Sequence, residues 1–205
     1  MMAFFNIQKG RTEMTNIKLS QLIKDLNVMA DAYQKSAPNW IKLGTPDFTF
    51  SFKNQNNDTV SVYIPPKANG AAYVSQGKDG VIQMTLGFHA QFFNHLKNDI
   101  TCRCLVIHEL MHTYQNLSGK TIDNTSPSLL SSYIQDPLEF EAVAAQLAYL
   151  VKENKCQNLL DSFEGLLSFI ELDLMNLYDM ADVNSLYNIS EEQQKSLLNR
   201  IKAFF

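Results

Sequence analysis

Three residues of one short segment, His108, Glu109 and His112, have the types and spacing needed for metal-assisted chemistry. Residues four apart on an α-helix lie one above the other on the same face, so both imidazoles could reach one metal ion. Glu109 lies about 100° around such a helix from His108, where its carboxylate could reach a metal-bound water. The pattern predicts two metal ligands and one general base.

The residues around this HExxH box are typical of a buried helix. Asn98 or Asp99 can cap its start, and Gly119 can end it. Residues 105–107 are apolar on all sides, as expected of a helix that crosses a domain interior. A buried pair of imidazoles needs a polar partner such as a metal. The alternative is a helix whose His and Glu are exposed or satisfied by hydrogen bonds.

A catalytic zinc ion usually has three protein ligands and an open position for water, so a third ligand is required. Asp136 and Pro137 are typical of the first residues of a second helix, which we expect to continue through Val151. The helical period places Glu139 at the edge of its apolar face and Glu141 on the opposite side, in solvent or behind the ligands. Geometry therefore favours Glu139, although Asp136 and Glu139 also have the spacing of a capping box.

The order of an HExxH box, a connection and a Glu near the start of a second helix resembles the gluzincin zinc metallopeptidases. Residues 139–142 read Glu-Phe-Glu-Ala, which is similar to the ExxA pattern that carries the third ligand in several of those families. The resemblance covers roughly residues 100–151, and the HExxH part is the more specific. Many members continue ExxA with Asp or Asn, where this chain has Val143. That departure affects the hydrogen bonds that would orient the metal-binding imidazoles from behind.

The resemblance implies a zinc-dependent metallopeptidase. One Zn²⁺ ion would be held by His108, His112 and Glu139, with Glu109 as the general base in peptide-bond hydrolysis. The resemblance also implies a Tyr or His near the third ligand as a donor to the oxyanion, and Tyr133 is the best candidate. The alternative for Tyr133 is an aromatic side chain that anchors a loop.

Two other tyrosines, Tyr114 and Tyr149, are weaker candidates for the oxyanion donor. Cys104 lies one turn before His108 and could be imagined as a ligand, but a small buried side chain is the better interpretation.

The fold is predicted to be one α+β domain over residues 1–205, strand-rich at 46–87 and helical at 88–205. A small, mostly antiparallel sheet should pack on the helical half that carries the HExxH helix, which is a zincin-like arrangement. Residues 48–52 and 60–64 alternate as a hairpin, and 81–86 predict another strand. The resemblance gives that last strand the role of an edge that pairs with extended substrate, against the alternative of an ordinary strand. Further helices are expected at 17–35, 159–180 and 191–204.

Composition excludes several classes of function. The net charge is −4 and the 17 Lys and Arg residues are scattered, which argues against nucleic-acid binding. No apolar run approaches the length of a membrane span, and residues 1–11 lack a signal-peptide core. Three Cys do not suggest a disulfide framework. We therefore expect a cytoplasmic monomer acting on a peptide or protein, with export by a route without a cleavable signal left open.

Three hypotheses remain on the sequence alone: an active zinc endopeptidase, a catalytically inactive zincin-like binding protein, and a structural protein whose HExxH box is accidental.

Overall fold

The computed structural model describes residues 17–36, 48–65, 72–76, 81–87, 95–120, 135–173 and 186–205. Their helices and strands are, in chain order, α1 (Leu19–Ser36), β1 (Phe48–Lys53), β2 (Thr59–Ile64), β3 (Ala72–Gln76), β4 (Ile82–Leu86), α2 (Ile100–Leu117), α3 (Pro137–Glu153), α4 (Phe163–Asp173) and α5 (Glu191–Ala203). Two short 3-10 helices, Gln157–Asp161 and Leu186–Asn188, lie between the later helices. The predicted α+β class is confirmed.

The predicted hairpin is confirmed as the antiparallel pair β1 and β2, with Phe50 opposite Val62. Its turn is held by the Asn54 side chain, whose Oδ1 accepts hydrogen bonds from the amides of Asn56 at 3.0 Å and Asp58 at 2.8 Å. Asn57 has a φ of 66°, a left-handed conformation that Asn tolerates better than most residues. Local side-chain bonding therefore sets the register of this hairpin.

The strand predicted at residues 81–86 is confirmed as β4, but its expected position at the sheet edge is wrong. The strand order is β1-β2-β4-β3, so β4 pairs parallel to β2 on one side and antiparallel to β3 on the other. Among the described residues, the edge strand beside β4 is β3, which the sequence did not predict. Within β3, Val74 is buried and its neighbour Tyr73 is 44% exposed, so the alternation is too short to stand out.

One face of the sheet carries the buried side chains, and α1 and α2 lie against the sheet: α1 contacts β1, while α2 contacts β3 and β4. The alternation along each strand produces this division between a buried and a more exposed face. The buried apolar members on the four strands are Phe50, Phe52, Val60, Val62, Ile64, Val74, Ile82, Met84 and Leu86. Thr85 of β4 is a buried polar residue at an alternate position.

A buried carboxylate joins α1 to the hairpin and to α2. Asp25 is fully buried and accepts hydrogen bonds from the Gln55 amide at 2.8 Å and from the Tyr114 hydroxyl at 2.5 Å. Burial raises the pKa of Asp25, although both hydrogen bonds act in the opposite direction. This contact ties α2 to α1, and it engages the hydroxyl of Tyr114.

The helix α3 lies in the centre of the helical half. Its residues from Glu141 to Val151 are all buried, and it packs most extensively against α2 and then against α5. A helix that is apolar almost all round is expected to be enclosed by its neighbours. The two predicted metal-ligand helices are therefore direct packing partners.

Glu141 was expected in solvent or behind the ligands, and the structure places it elsewhere. It is 1% exposed, and its Oε2 lies 2.5 Å from Nε of Arg200 on α5. Arg200 in turn lies over the ring of Phe204, 4.7 Å from its centroid. The expectation of solvent exposure was wrong because α5 covers this side of α3, and the packing of a distant helix cannot be seen in the periodicity of α3 itself.

The helix predicted at residues 159–180 is broken near its start. Its first residues form the 3-10 helix Gln157–Asp161, and Ser162 is extended at φ −141° and ψ 148°. The Ser162 hydroxyl then accepts from the Gly165 amide at 3.0 Å and caps α4. Residues 174–180 lie outside the described part. The predicted C-terminal helix is confirmed as α5, which begins at a capping box formed by Ser190 and Gln193.

No helix of the described residues is long and apolar enough to cross a membrane.

The buried ion pair between Arg200 and Glu141 provides a test of this packing. Arg200→Leu would leave the Glu141 carboxylate buried without its cation, and we expect a loss of roughly 3 kcal/mol or more in the free energy of unfolding. The double substitution Glu141→Leu with Arg200→Leu should recover part of this loss, since both charges are then absent. Urea unfolding measures both, with the exposed Lys202→Leu on the same helix as the control. Equal stabilities for the single and double variants would contradict the pairing.

Candidate metal centre

The HExxH helix, α2, has the start and end that the sequence predicts. The Asp99 carboxylate caps it by accepting from the Cys102 amide at 2.8 Å. The helix ends before Gly119, whose φ of 75° favours glycine. Between these ends it runs through the interior, so the side chains of His108, Glu109 and His112 are all buried.

Three polar atoms converge where α2 meets α3. The Nε2 atoms of His108 and His112 are 3.0 Å apart, and Oε2 of Glu139 lies 3.3 Å from each of them. In the described part of the chain, this is the one group of three or more His, Cys, Asp or Glu residues able to hold a metal ion. These are the three residues predicted as ligands, and the role itself stays a prediction.

The start of α3 explains why Glu139 and not Glu141 reaches the imidazoles. Asp136 caps the helix by accepting from the Leu138 amide at 2.7 Å, and Pro137 is the first helical residue. Oε2 of Glu139 is buried and makes no hydrogen bond; it faces the two imidazoles. Glu141, two residues further on, points away toward α5. The competing possibility of a capping box therefore does not account for the position of this oxygen.

The electrostatics of Glu139 favour its ionised form. Burial by itself would raise the pKa of this carboxyl, but the rings of His108 and His112, in their protonated form, outweigh it and hold the pKa well below its usual range. The group therefore offers a negative oxygen beside two ring nitrogens.

Each imidazole has a glutamine behind it. Nδ1 of His108 lies 3.1 Å from Oε1 of Gln146, and Nδ1 of His112 lies 2.7 Å from Oε1 of Gln115. Both glutamines are 3% exposed. An amide oxygen can only accept, so each Nδ1 acts as the donor, and in a neutral ring Nε2 then carries a lone pair. Two lone pairs and a carboxylate oxygen thus face one another, an arrangement that a cation between them would stabilise.

The spacing of these three atoms fits zinc. Ligand bonds of 2.0–2.1 Å in a tetrahedron separate neighbouring ligand atoms by about 3.3 Å. The observed separations are 3.0, 3.3 and 3.3 Å. Two imidazoles and one carboxylate are also a known ligand set for catalytic zinc, which leaves a fourth position for water. The residues present therefore fit one zinc ion.

Glu109, the predicted base, is 7% exposed and follows His108 directly in α2. The Thr113 hydroxyl donates to its main-chain oxygen at 3.1 Å, an ordinary bond along the helix. Glu109 is not a member of the three-residue group, and its role as the general base stays a prediction.

Tyr133, the predicted oxyanion donor, lies outside the described residues. The two weaker candidates have their hydroxyls engaged in other contacts: Tyr114 donates to Asp25, and Tyr149 accepts from Nε of Arg103. Cys104 is buried and is not in the metal-binding group. No disulfide joins the three cysteines of the chain, all of which are described.

The sequence reading missed Gln115 and Gln146. The helical spacing could have suggested both residues. Gln115 is three residues after His112, and Gln146 is seven after Glu139, so each lies on the same face of its helix as a predicted ligand. The pairing of Gln146 with His108, however, crosses between helices and depends on how they pack.

No protein-family model matches the chain, and neither a curated protein nor a solved structure matches it. The likeness to gluzincin peptidases therefore remains a resemblance carried by residues 100–151. The function has to be argued from the geometry and chemistry of the site.

The site predicts metal binding that can be measured directly. We expect the purified protein to bind one Zn²⁺ ion and a chelator to lower its melting temperature, because an ion bound only by the folded state stabilises it. His112→Ala and Glu139→Gln should each lose most of the bound zinc, as metal analysis would show. The exposed His95→Ala is the control. A zinc content unchanged by His112→Ala would contradict the site.

Proposed function

We propose that the protein is a zinc-dependent endopeptidase that hydrolyses peptide bonds of a peptide or protein substrate. The observation that carries the proposal is the convergence of His108, His112 and Glu139 on one buried point. Glu109, the residue after His108, is buried as well. A metal site with three protein ligands and an adjacent carboxylate is typical of hydrolytic zinc enzymes.

Zinc held by these ligands would lower the pKa of a bound water toward neutrality and polarise the substrate carbonyl. The chain's own contribution to proton transfer is Glu109, which takes the proton of the attacking water and passes it to the leaving nitrogen. With the negative Glu139 and two neutral imidazoles as ligands, a bound Zn²⁺ would keep one net positive charge, which would favour the developing oxyanion. Tyr133 is the proposed further donor to that oxyanion.

The edge strand β3 is the proposed support for the substrate. It pairs with β4 on one side, stands at the end of the described sheet, and contacts α2, the helix of the HExxH box. An extended peptide can add to a sheet edge through main-chain hydrogen bonds. This role passes to β3 because β4 is paired on both sides.

Replacement of Glu109 separates catalysis from metal binding. Glu109→Gln should keep its zinc and lose cleavage by at least about 100-fold, since the amide cannot accept the proton. A broad peptide library with cleavage read by mass spectrometry tests this, together with metal analysis of the same samples. Glu192→Gln, an exposed acid on α5, is the control and should match the wild type.

Two other outcomes have clear meanings. A fully active Glu109→Gln protein would contradict the mechanism. A wild-type protein that holds zinc but cleaves no peptide would favour the inactive binding protein over the enzyme.

A further inference from the structure

We infer that Gln115 and Gln146 are positioning residues that set both imidazoles in the tautomer needed for metal binding, and that Gln115 also holds the third ligand in place. The inference rests on the proposed zinc site. It concerns residues behind the ligands, which neither the HExxH box nor the ExxA pattern includes.

The contacts of Gln115 fix its orientation. Its Nε2 donates to the main-chain oxygen of Leu138 at 2.8 Å, so its Oε1 is the atom that faces Nδ1 of His112 at 2.7 Å. An amide turned the other way would place its NH₂ group against the ring and lose the bond to Leu138. His112 therefore donates from Nδ1, and its Nε2 lone pair is directed at the metal position.

Gln146 does the same for His108 from the other helix. It lies seven residues, about two turns, after Glu139 on α3, and its Oε1 is 3.1 Å from Nδ1 of His108. Val143, where many gluzincins have Asp or Asn, is a buried apolar residue that cannot fill this role. Gln146, about one turn later, supplies the acceptor instead.

The two glutamines differ in one respect. Gln115 is both acceptor and donor, because it accepts a hydrogen bond from His112 and donates one to the main-chain oxygen of Leu138, the residue next to Glu139. It thereby ties a ligand of α2 to the start of α3, where the third ligand is. In its contact with His108, Gln146 acts only as a hydrogen-bond acceptor, through its amide oxygen. A carboxylate should therefore replace Gln146 but not Gln115.

Both partners are uncharged, which has its own consequence. A carboxylate behind a metal-bound imidazole raises the basicity of that ligand. Neutral amides therefore orient the rings while leaving more positive charge at the metal. Gln146→Glu should bind zinc at least as tightly as the wild type.

The test compares zinc affinities of four variants by competition with a chromophoric chelator. Gln115→Leu and Gln146→Leu should each weaken zinc binding by roughly 10- to 100-fold. The zinc affinity of Gln146→Glu should equal or exceed that of the wild type. The zinc affinity of Gln115→Glu should stay below it, because a carboxylate cannot donate a hydrogen bond to Leu138. The visible spectrum of the Co²⁺-loaded proteins gives a second measurement, since it reports ligand geometry independently of activity.

Two controls separate positioning from general stability. Val151→Ala removes buried volume on α3 and should lower the unfolding free energy while leaving zinc affinity unchanged. Gln157→Leu removes an exposed amide and should change neither. The isosteric Glu variants provide the comparison if a Leu variant does not fold.

The outcomes distinguish this inference from the proposed function. A wild-type protein with no zinc would overturn both. Zinc affinities in the Leu variants equal to that of Val151→Ala would overturn only the positioning role. Equal rescue by Gln115→Glu and Gln146→Glu would overturn the bridging role of Gln115.

Discussion

The packing of α2 against α3 is the contact on which the rest of the structure depends. Each helix carries part of the site, and two glutamine contacts cross between them: Gln115 bonds to Leu138, and Gln146 faces His108. Buried polar groups are costly unless they are paired, so these contacts define how the two helices fit together. A displacement of either helix by one turn would separate Glu139 from the imidazoles and break both contacts that cross between the helices.

Two other buried carboxylates have protein partners that link elements of the fold. Asp25 receives the Tyr114 hydroxyl and a turn amide, and Glu141 pairs with Arg200. Oε2 of Glu139 differs from these, because it makes no hydrogen bond and faces two ring nitrogens. The first two carboxylates therefore have structural partners, and the contrast supports the proposed cation-binding role of the third.

Much of this could be predicted from the sequence because it is local. The caps of α2 and α3, the hairpin and the phase of Glu139 follow from residues within a few positions of one another. The break at Ser162 is a local feature that was missed, but the errors over β4 and Glu141 are nonlocal. The prediction that β4 is an edge strand was wrong because β3, a short strand with little alternation, pairs beside it. The prediction that Glu141 is exposed was wrong because α5, about sixty residues later in the chain, buries it.

The sequence by itself therefore determined the chemistry of the site: two imidazoles at the spacing of one helical turn, a carboxylate beside them, and a second carboxylate at the start of another helix. Only the tertiary structure decided which atoms meet. It placed Glu139 3.3 Å from both rings and directed Glu141 to Arg200. It also placed the amide oxygen of Gln146 at Nδ1 of His108, a hydrogen bond that the apolar Val143 could not make. The physical reason is that helical periodicity fixes directions within one helix, whereas contacts between helices depend on how their surfaces pack.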